Sequence, residues 1–240
     1  MAGVANEMMR QHLFDKAKEA EEQERYGSMV ACVDRLCRMF GKLSNDERNL
    51  LSAACEGSRK AAVRMMAEQE GNESDSGRQA SKRLPEDQVT EWKAFSNATL
   101  LLIDRLLTEV ENQDVEAEVF YHKMKGDYYH FLTEISEGSE KEDSMKKANE
   151  SYKTADEKAK ELPATHPTRL GLALHWSVFH YEIRNDGKEA CRVTKEAYDA
   201  AVELVDGLED EARKESASIM QLLRDNLALW TSEEEDQGEN

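Results

Sequence analysis

The sequence predicts an all-α protein, an antiparallel array of about nine helices joined by short connections. Three observations carry this reading. Apolar residues recur at helical spacing along almost the whole chain. The 240 residues include only 3 Pro and 12 Gly, too few for the turn every 8–12 residues or so that a sandwich or barrel needs. No stretch alternates with period two for long enough to form a strand.

Each element has its own signature in the chain. Between Lys16 and Phe40, the residues Ala17, Ala20, Met29, Val33, Leu36 and Phe40 fall at helical intervals around a turn-like Tyr26-Gly27-Ser28. Two short antiparallel helices satisfy that pattern. Ser44-Asn45-Asp46-Glu47 is a capping box: the Ser44 hydroxyl accepts from the amide three residues on, and Glu47 reaches back. A helix starts there and runs past Leu51 toward Met66. From Glu68 to Leu84 the chain carries Gly71, Ser74, Ser76, Gly77 and Ser81 without apolar spacing, the pattern of a mobile loop. Pro85 suits the first turn of the next helix, whose stripe is Val89, Trp92, Phe95, Thr99, Ile103 and Leu106.

Val115 to Ile135 reads as a helix rich in Tyr and Phe, ended near Gly138. Glu142 to Leu162 is polar and alanine-rich, and Pro163 stops it. Thr165-His166-Pro167 opens another helix, over the apolar run from Leu170 to Ile183. Asn185-Asp186-Gly187 is a turn, and Lys188 to Leu204 and Ser216 to Trp230 complete the set. The segment 231–240 is acidic and free of apolar residues, which predicts a disordered tail. The expected organisation is an N-terminal arm over residues 1–11, one helical domain over 12–230 with halves at 12–107 and 115–230, and the tail over 231–240.

Composition excludes several classes. The formal charge of −18 disfavours nucleic acid, whose phosphate backbone recruits Lys and Arg. No apolar run approaches the roughly 18 residues of a membrane span. Met1 to Arg10 lacks the apolar core and small-residue cleavage site of a secretory signal. Cys32, Cys37, Cys55 and Cys191 are too few for a disulfide framework, so a reduced, intracellular setting is expected. Phosphate-cradling glycine motifs and a His-Glu-x-x-His pair are absent. No cofactor, no metal and no catalytic set is therefore expected, and an enzyme is the minority reading.

Four blocks resemble one family. Arg48 to Ser52 (RNLLS), Val119-Phe120-Tyr121 with Lys123 to Tyr129 (KMKGDYY), Thr165 to Leu174 (THPTRLGLAL) and Met220 to Trp230 (MQLLRDNLALW) look like the 14-3-3 proteins. The resemblance runs from about His12 to Ser232 in the family's order. It implies a cup of nine antiparallel helices and a concave groove that binds phosphoserine or phosphothreonine segments of client proteins. It also implies a cytoplasmic adaptor without catalysis that forms a homodimer, or a heterodimer with a related subunit. The half over 12–107 would dimerise and the half over 115–230 would form the groove.

The matching groove residues are Lys123, Leu174, Val178, Glu182, Leu222, Asp225, Asn226 and Trp230. Their own chemistry agrees: Leu174 and Val178 are four apart, as are Leu222, Asn226 and Trp230, so each set shares a helix face. Such a face grips side chains, while an amide bonds a peptide backbone. Ordinary core packing is the competing reading of the apolar members, whereas Asn226 on an apolar stripe needs a partner.

The phosphate site departs from the family. Its Arg-Tyr pair after KMKGDYY is here His130 and Phe131, so a guanidinium fork becomes an imidazole and a hydroxyl is absent. The stretch Ala53 to Lys60 is about three residues shorter than the family pattern, a change that rotates the downstream residues by roughly 300° unless the helix bulges. Arg59 and Lys60 then fall on the family's arginine pair, Lys60 at the phosphate-binding place, and the family's lysine is lost or replaced by Glu56. A further peptide-clamping asparagine is here His175. Losing two charge-assisted hydrogen bonds at about 1.5–3 kcal/mol each predicts phosphopeptide binding weaker by roughly 10²–10⁴-fold. The alternative is a phosphate-independent peptide scaffold using the same groove. At the expected dimer contact, Glu19 and Gln23 replace small apolar residues, while Arg25 and Glu91 remain as an intersubunit pair. Arg78-Gln79-Ala80-Ser81 resembles a basophilic kinase site.

Overall fold

The computed structural model describes residues 2–73, 84–110 and 114–238. Among these residues it contains nine α-helices, one 3-10 turn and no strand, in agreement with the all-α expectation. Two compact units divide the chain: residues 1–109 with 134–141, and residues 110–133 with 142–240.

The first unit holds α1 (Ala2–Glu22), α2 (Tyr26–Phe40), α3 (Asn45–Glu73) and α4 (Glu86–Val110). Leu13, Ala17 and Ala20 on α1 and Met29, Val33 and Leu36 on α2 are buried, so the helical spacing in the sequence is the spacing of the core face. The α1–α2 link is short and both helices pack together, which reverses the chain. The reversal lies at Gln23–Arg25, where Glu24 takes φ 54, and not at Tyr26-Gly27-Ser28, which is the first turn of α2. The capping box forms as expected: Glu47 N–H donates to Ser44 Oγ (3.3 Å), and Ser44 N–H donates to the Glu47 carboxylate (2.8 Å). Arg10 also bonds that carboxylate, at 2.6 Å through Nε.

Three boundaries differ from the sequence reading. The expected N-terminal arm over 1–11 is helical from Ala2 onward, because Ala, Met, Arg and Gln are good helix formers. Of the stretch from Glu68 to Leu84 expected as a mobile loop, the part to Glu73 continues α3, since a single Gly71 costs about 1 kcal/mol, which a long helix absorbs; residues 74–83 lie outside the described residues. Arg78 to Ser81 lie outside the described residues. The tail expected to be disordered over 231–240 continues α9 (Asp210–Gly238) as far as Gly238. Acidity does not break a helix; the first breaker after Trp230 is Gly238 itself.

Gly57 lies within α3 because of Tyr26. A Cβ there would sit 2.2 Å from Tyr26 Cε1, so the close approach of α2 excludes any side chain. The helix neither breaks nor ends at this point.

The second unit contains most of α5 (Val115–Ile135) and α6 (Gly138–Ala159), then α7 (Pro167–Glu182), α8 (Gly187–Val202), a 3-10 turn at Val205–Gly207, and α9. Val119 of α5, Ala148, Tyr152, Ala155 and Ala159 of α6, and Leu172 and Phe179 of α7 form one buried cluster. Leu170 of α7, Ala201 of α8, and Met220 and Leu223 of α9 form a second. His166 caps α7 with Pro167 in its first turn, and Asp186 caps α8 by accepting from Glu189 N–H at 3.1 Å. No helix among the described residues is long and apolar enough to cross a membrane.

Candidate functional site

The KMKGDYY block forms the buried centre of α5. Lys123 and Asp127 lie one turn apart, and their ion pair is 2.7 Å long, with both side chains less than a tenth exposed. The other carboxylate oxygen of Asp127 accepts from the Tyr152 hydroxyl at 2.8 Å and bonds His175 Nδ1 at 2.9 Å. One carboxylate thus joins α5, α6 and α7. Gly126 makes this possible: a Cβ on it would lie 2.4 Å from Tyr152 Cε1, where the ring must pass. Burial opposes ionisation of Asp127, but the neighbouring His175 and Lys123 outweigh it and hold the carboxyl far below the ordinary range.

This cluster was not visible in the sequence as a unit, although one signal existed. An opposite-charge pair at i,i+4 inside an aromatic helix demands burial with partners. Lys123 and His175, expected in the groove, are brought together through Asp127. Lys123 is buried, while His175 keeps a side chain 44% exposed.

His130 is buried, with its ring edge-on to Phe179 and Nε2 3.9 Å from the Glu182 carboxylate. Phe131 is 1% exposed and belongs to the core. On α7, Leu174 and Val178 are half-buried, and Leu174 packs on the second cluster. On α9, Leu222 is 52% exposed, Asn226 is half-buried and Asp225 is exposed. Trp230 is buried and stacks on Tyr181 with centroids 4.8 Å apart. Since α7 and α9 pack together, these residues give the second unit a mixed surface with an exposed leucine and an amide.

Arg59 and Lys60 belong to the first unit. Arg59 bonds both oxygens of Glu134, at 2.6 Å from Nη2 and 2.8 Å from Nε. Lys60, expected at the phosphate-binding place, is largely exposed and pairs at 2.6 Å with Glu56 on its own helix. The structure therefore separates the adjacent cations: they face different partners, as successive helical residues must. Glu19, Gln23, Arg25 and Glu91 are all exposed, and Gln23 Nε2 donates to Glu19 at 3.2 Å.

The model of the family described as 14-3-3 protein matches residues 16–231. Among curated relatives, the chain is 42% identical to the 14-3-3 protein zeta of Xenopus laevis, over 97% of this chain and 98% of that one. It is 41% identical to the 14-3-3 protein beta/alpha of Gallus gallus, over 97% and 98% respectively. The 14-3-3 protein beta/alpha-A of Xenopus laevis is 42% identical, over 97% of this chain and 96% of the relative.

Proposed function

Because this chain belongs to the 14-3-3 family, we propose that it is an adaptor binding phosphoserine or phosphothreonine segments of client proteins, with weakened phosphate recognition. Family membership supports the adaptor role. The observation that supports weakening is the state of the cations: Lys123 is held by Asp127 at 2.7 Å and Arg59 by Glu134 at 2.6 Å, while His130 and Phe131 supply neither a guanidinium nor a hydroxyl. A phosphoryl group needs charged donors in fork geometry, and here it competes with carboxylates already in place.

Leu174, Val178 and Leu222 would contact client side chains, and Asn226 and His175 the peptide backbone. The protein would act by binding alone, without catalysis, and as a dimer whose exposed Arg25 and Glu91 pair across subunits. An exposed pair contributes only about 0–1 kcal/mol, and Glu19 and Gln23 at the same contact are polar and exposed. Sedimentation at low micromolar concentration checks this, and a monomer there removes the dimer.

The deciding experiment titrates matched phosphorylated and unphosphorylated peptides by fluorescence polarisation, against the natural chain and the H130R/F131Y variant. The natural chain should show phosphate-dependent binding weaker than submicromolar. The variant should bind the phosphorylated peptide roughly 10²–10⁴-fold more tightly. Submicromolar phosphate-dependent binding by the natural chain overturns the weakening. Equal affinity for both peptides supports the phosphate-independent scaffold instead, a reading favoured by the carboxylate partners of Arg59 and Lys123.

A further inference from the structure

In the first unit, α1 and α2 together line a pocket of about 500 Å³. Its apolar part is the buried Leu13, the half-buried Cys32, and the exposed Met9 and Ala31. Met9, Leu13 and Lys16 follow one another at four and three residues along α1, and Arg35 follows Cys32 at three along α2, so each helix turns one face to the pocket. The volume lies within the range of small-molecule sites, which combine apolar walls with a few placed polar groups. No groove residue of α7 or α9 belongs to it.

The polar part is basic throughout. His12, Lys16 and Arg35 complete the lining, and no carboxylate shares it. None of the three makes an ion pair among the described residues, although the chain as a whole carries a charge of −18. The carboxylates beside them in sequence are engaged elsewhere: Asp15 accepts from Gln11 at 2.8 Å, Glu19 from Gln23 at 3.2 Å, and Asp34 from Arg38 at 2.8 Å and from Arg105. Burial pushes the Cys32 thiol up, and the charges that oppose this are the cations Lys16, Arg35 and Arg25. The pocket therefore has the opposite sign to the chain around it.

We propose that this pocket is a binding site, separate from the peptide groove, for a small amphiphilic anion with a carboxylate head on an aliphatic body. Lys16 and Arg35 neutralise the head, and a ring N–H of His12 donates to it. The body lies along Met9, Ala31 and Cys32, over Leu13. Neither half is enough alone: exposed cations hold a bare anion weakly, and the apolar area here is small. Selectivity follows from needing both in one molecule.

The test is a carbon-13 NMR titration of the full chain, labelled at its methionine methyls, with sodium decanoate below its micelle concentration. The Met9 signal, assigned with M9L, reports occupancy. Sodium acetate supplies the head without the body, and decyltrimethylammonium chloride supplies the body with the opposite charge. The expected result is a saturable Met9 shift with decanoate and with neither control. K16A and R35A should each weaken it about two- to fivefold, as loss of one exposed ion pair does, and K16E/R35E should abolish it. Circular dichroism should show the helices of these variants intact, since both positions are exposed. The groove variant L222A should bind decanoate unchanged. No saturable shift with decanoate, saturation by either control, or undiminished binding in K16E/R35E overturns the proposal. Binding lost in L222A would assign the signal to the groove and overturn it equally.

Discussion

Replacing Asp127 with Asn keeps the shape of the side chain and removes its charge. Lys123 Nζ lies 2.7 Å from the carboxylate, so at an effective dielectric of about 20 their attraction is about 6 kcal/mol. An amide oxygen retains a hydrogen bond to the ammonium worth about 1.5–3 kcal/mol. The difference agrees with the roughly 3–5 kcal/mol lost when one partner of a buried pair is removed. The expected effect is thus a fall in stability of about 3–5 kcal/mol, and in Tm of roughly 6–20 °C for a chain of this size. Urea denaturation measures it, with an unchanged m-value showing that the native state is otherwise intact. The cost arises from a stranded ammonium, so D127N combined with K123M should recover most of the loss. A fall below about 1 kcal/mol, or a double variant no more stable than D127N, would refute the view of Asp127 as the carboxylate that joins α5, α6 and α7.

The same geometry sets further outcomes. G126A and G57A each place a methyl against a tyrosine ring, at 2.4 Å and 2.2 Å, and should cost about 1–3 kcal/mol by overpacking, read in urea. S44A removes one half of the capping box and should cost about 1 kcal/mol, with α3 still helical by circular dichroism. Acid should destabilise the chain. The Asp127 and Glu47 carboxyls sit below their ordinary range when folded, Asp127 because His175 and Lys123 outweigh its burial, Glu47 because Arg10 and Ser44 do. The unfolded chain takes up those protons near pH 4 while the folded chain does not, so stability is full above that pH and falls below it. A D127N chain should show a shallower loss in the same pH titration.

The order and type of the helices were legible because burial follows period. Ala17, Ala20, Met29, Val33 and Leu36 could be picked from spacing alone, and each is buried. Boundaries were less legible where composition stood in for conformation: Thr231 to Gly238 lacks apolar residues yet is helical, since propensity and solubility are separate properties of Glu. Gly57 resisted interpretation because its reason, the Tyr26 ring, lies 31 residues away in sequence. The Lys123–Asp127 spacing was readable, but its completion by Tyr152 and His175 was not, because hydrogen bonds across helices leave no periodic trace.

The cations carry a common logic. Charge counting in a sequence treats Arg59, Lys60 and Lys123 as equivalent donors, yet each meets a different carboxylate: Glu134, Glu56 and Asp127. These partners are not of equal strength. Lys60 and Glu56 are largely exposed, so their attraction is screened and easily exchanged for another anion. Lys123 is buried with Asp127, whose remaining oxygen is already bonded twice, so displacing the carboxylate would strand several groups at once. A phosphoryl group, carrying a charge of about −1.5 to −2, gains over a carboxylate only where it adds to an existing network without dismantling it. On the proposed function a phosphoryl group at Lys123 enters as a second anion beside Asp127, and His130 and Phe131 offer it neither a guanidinium nor a phenol hydroxyl.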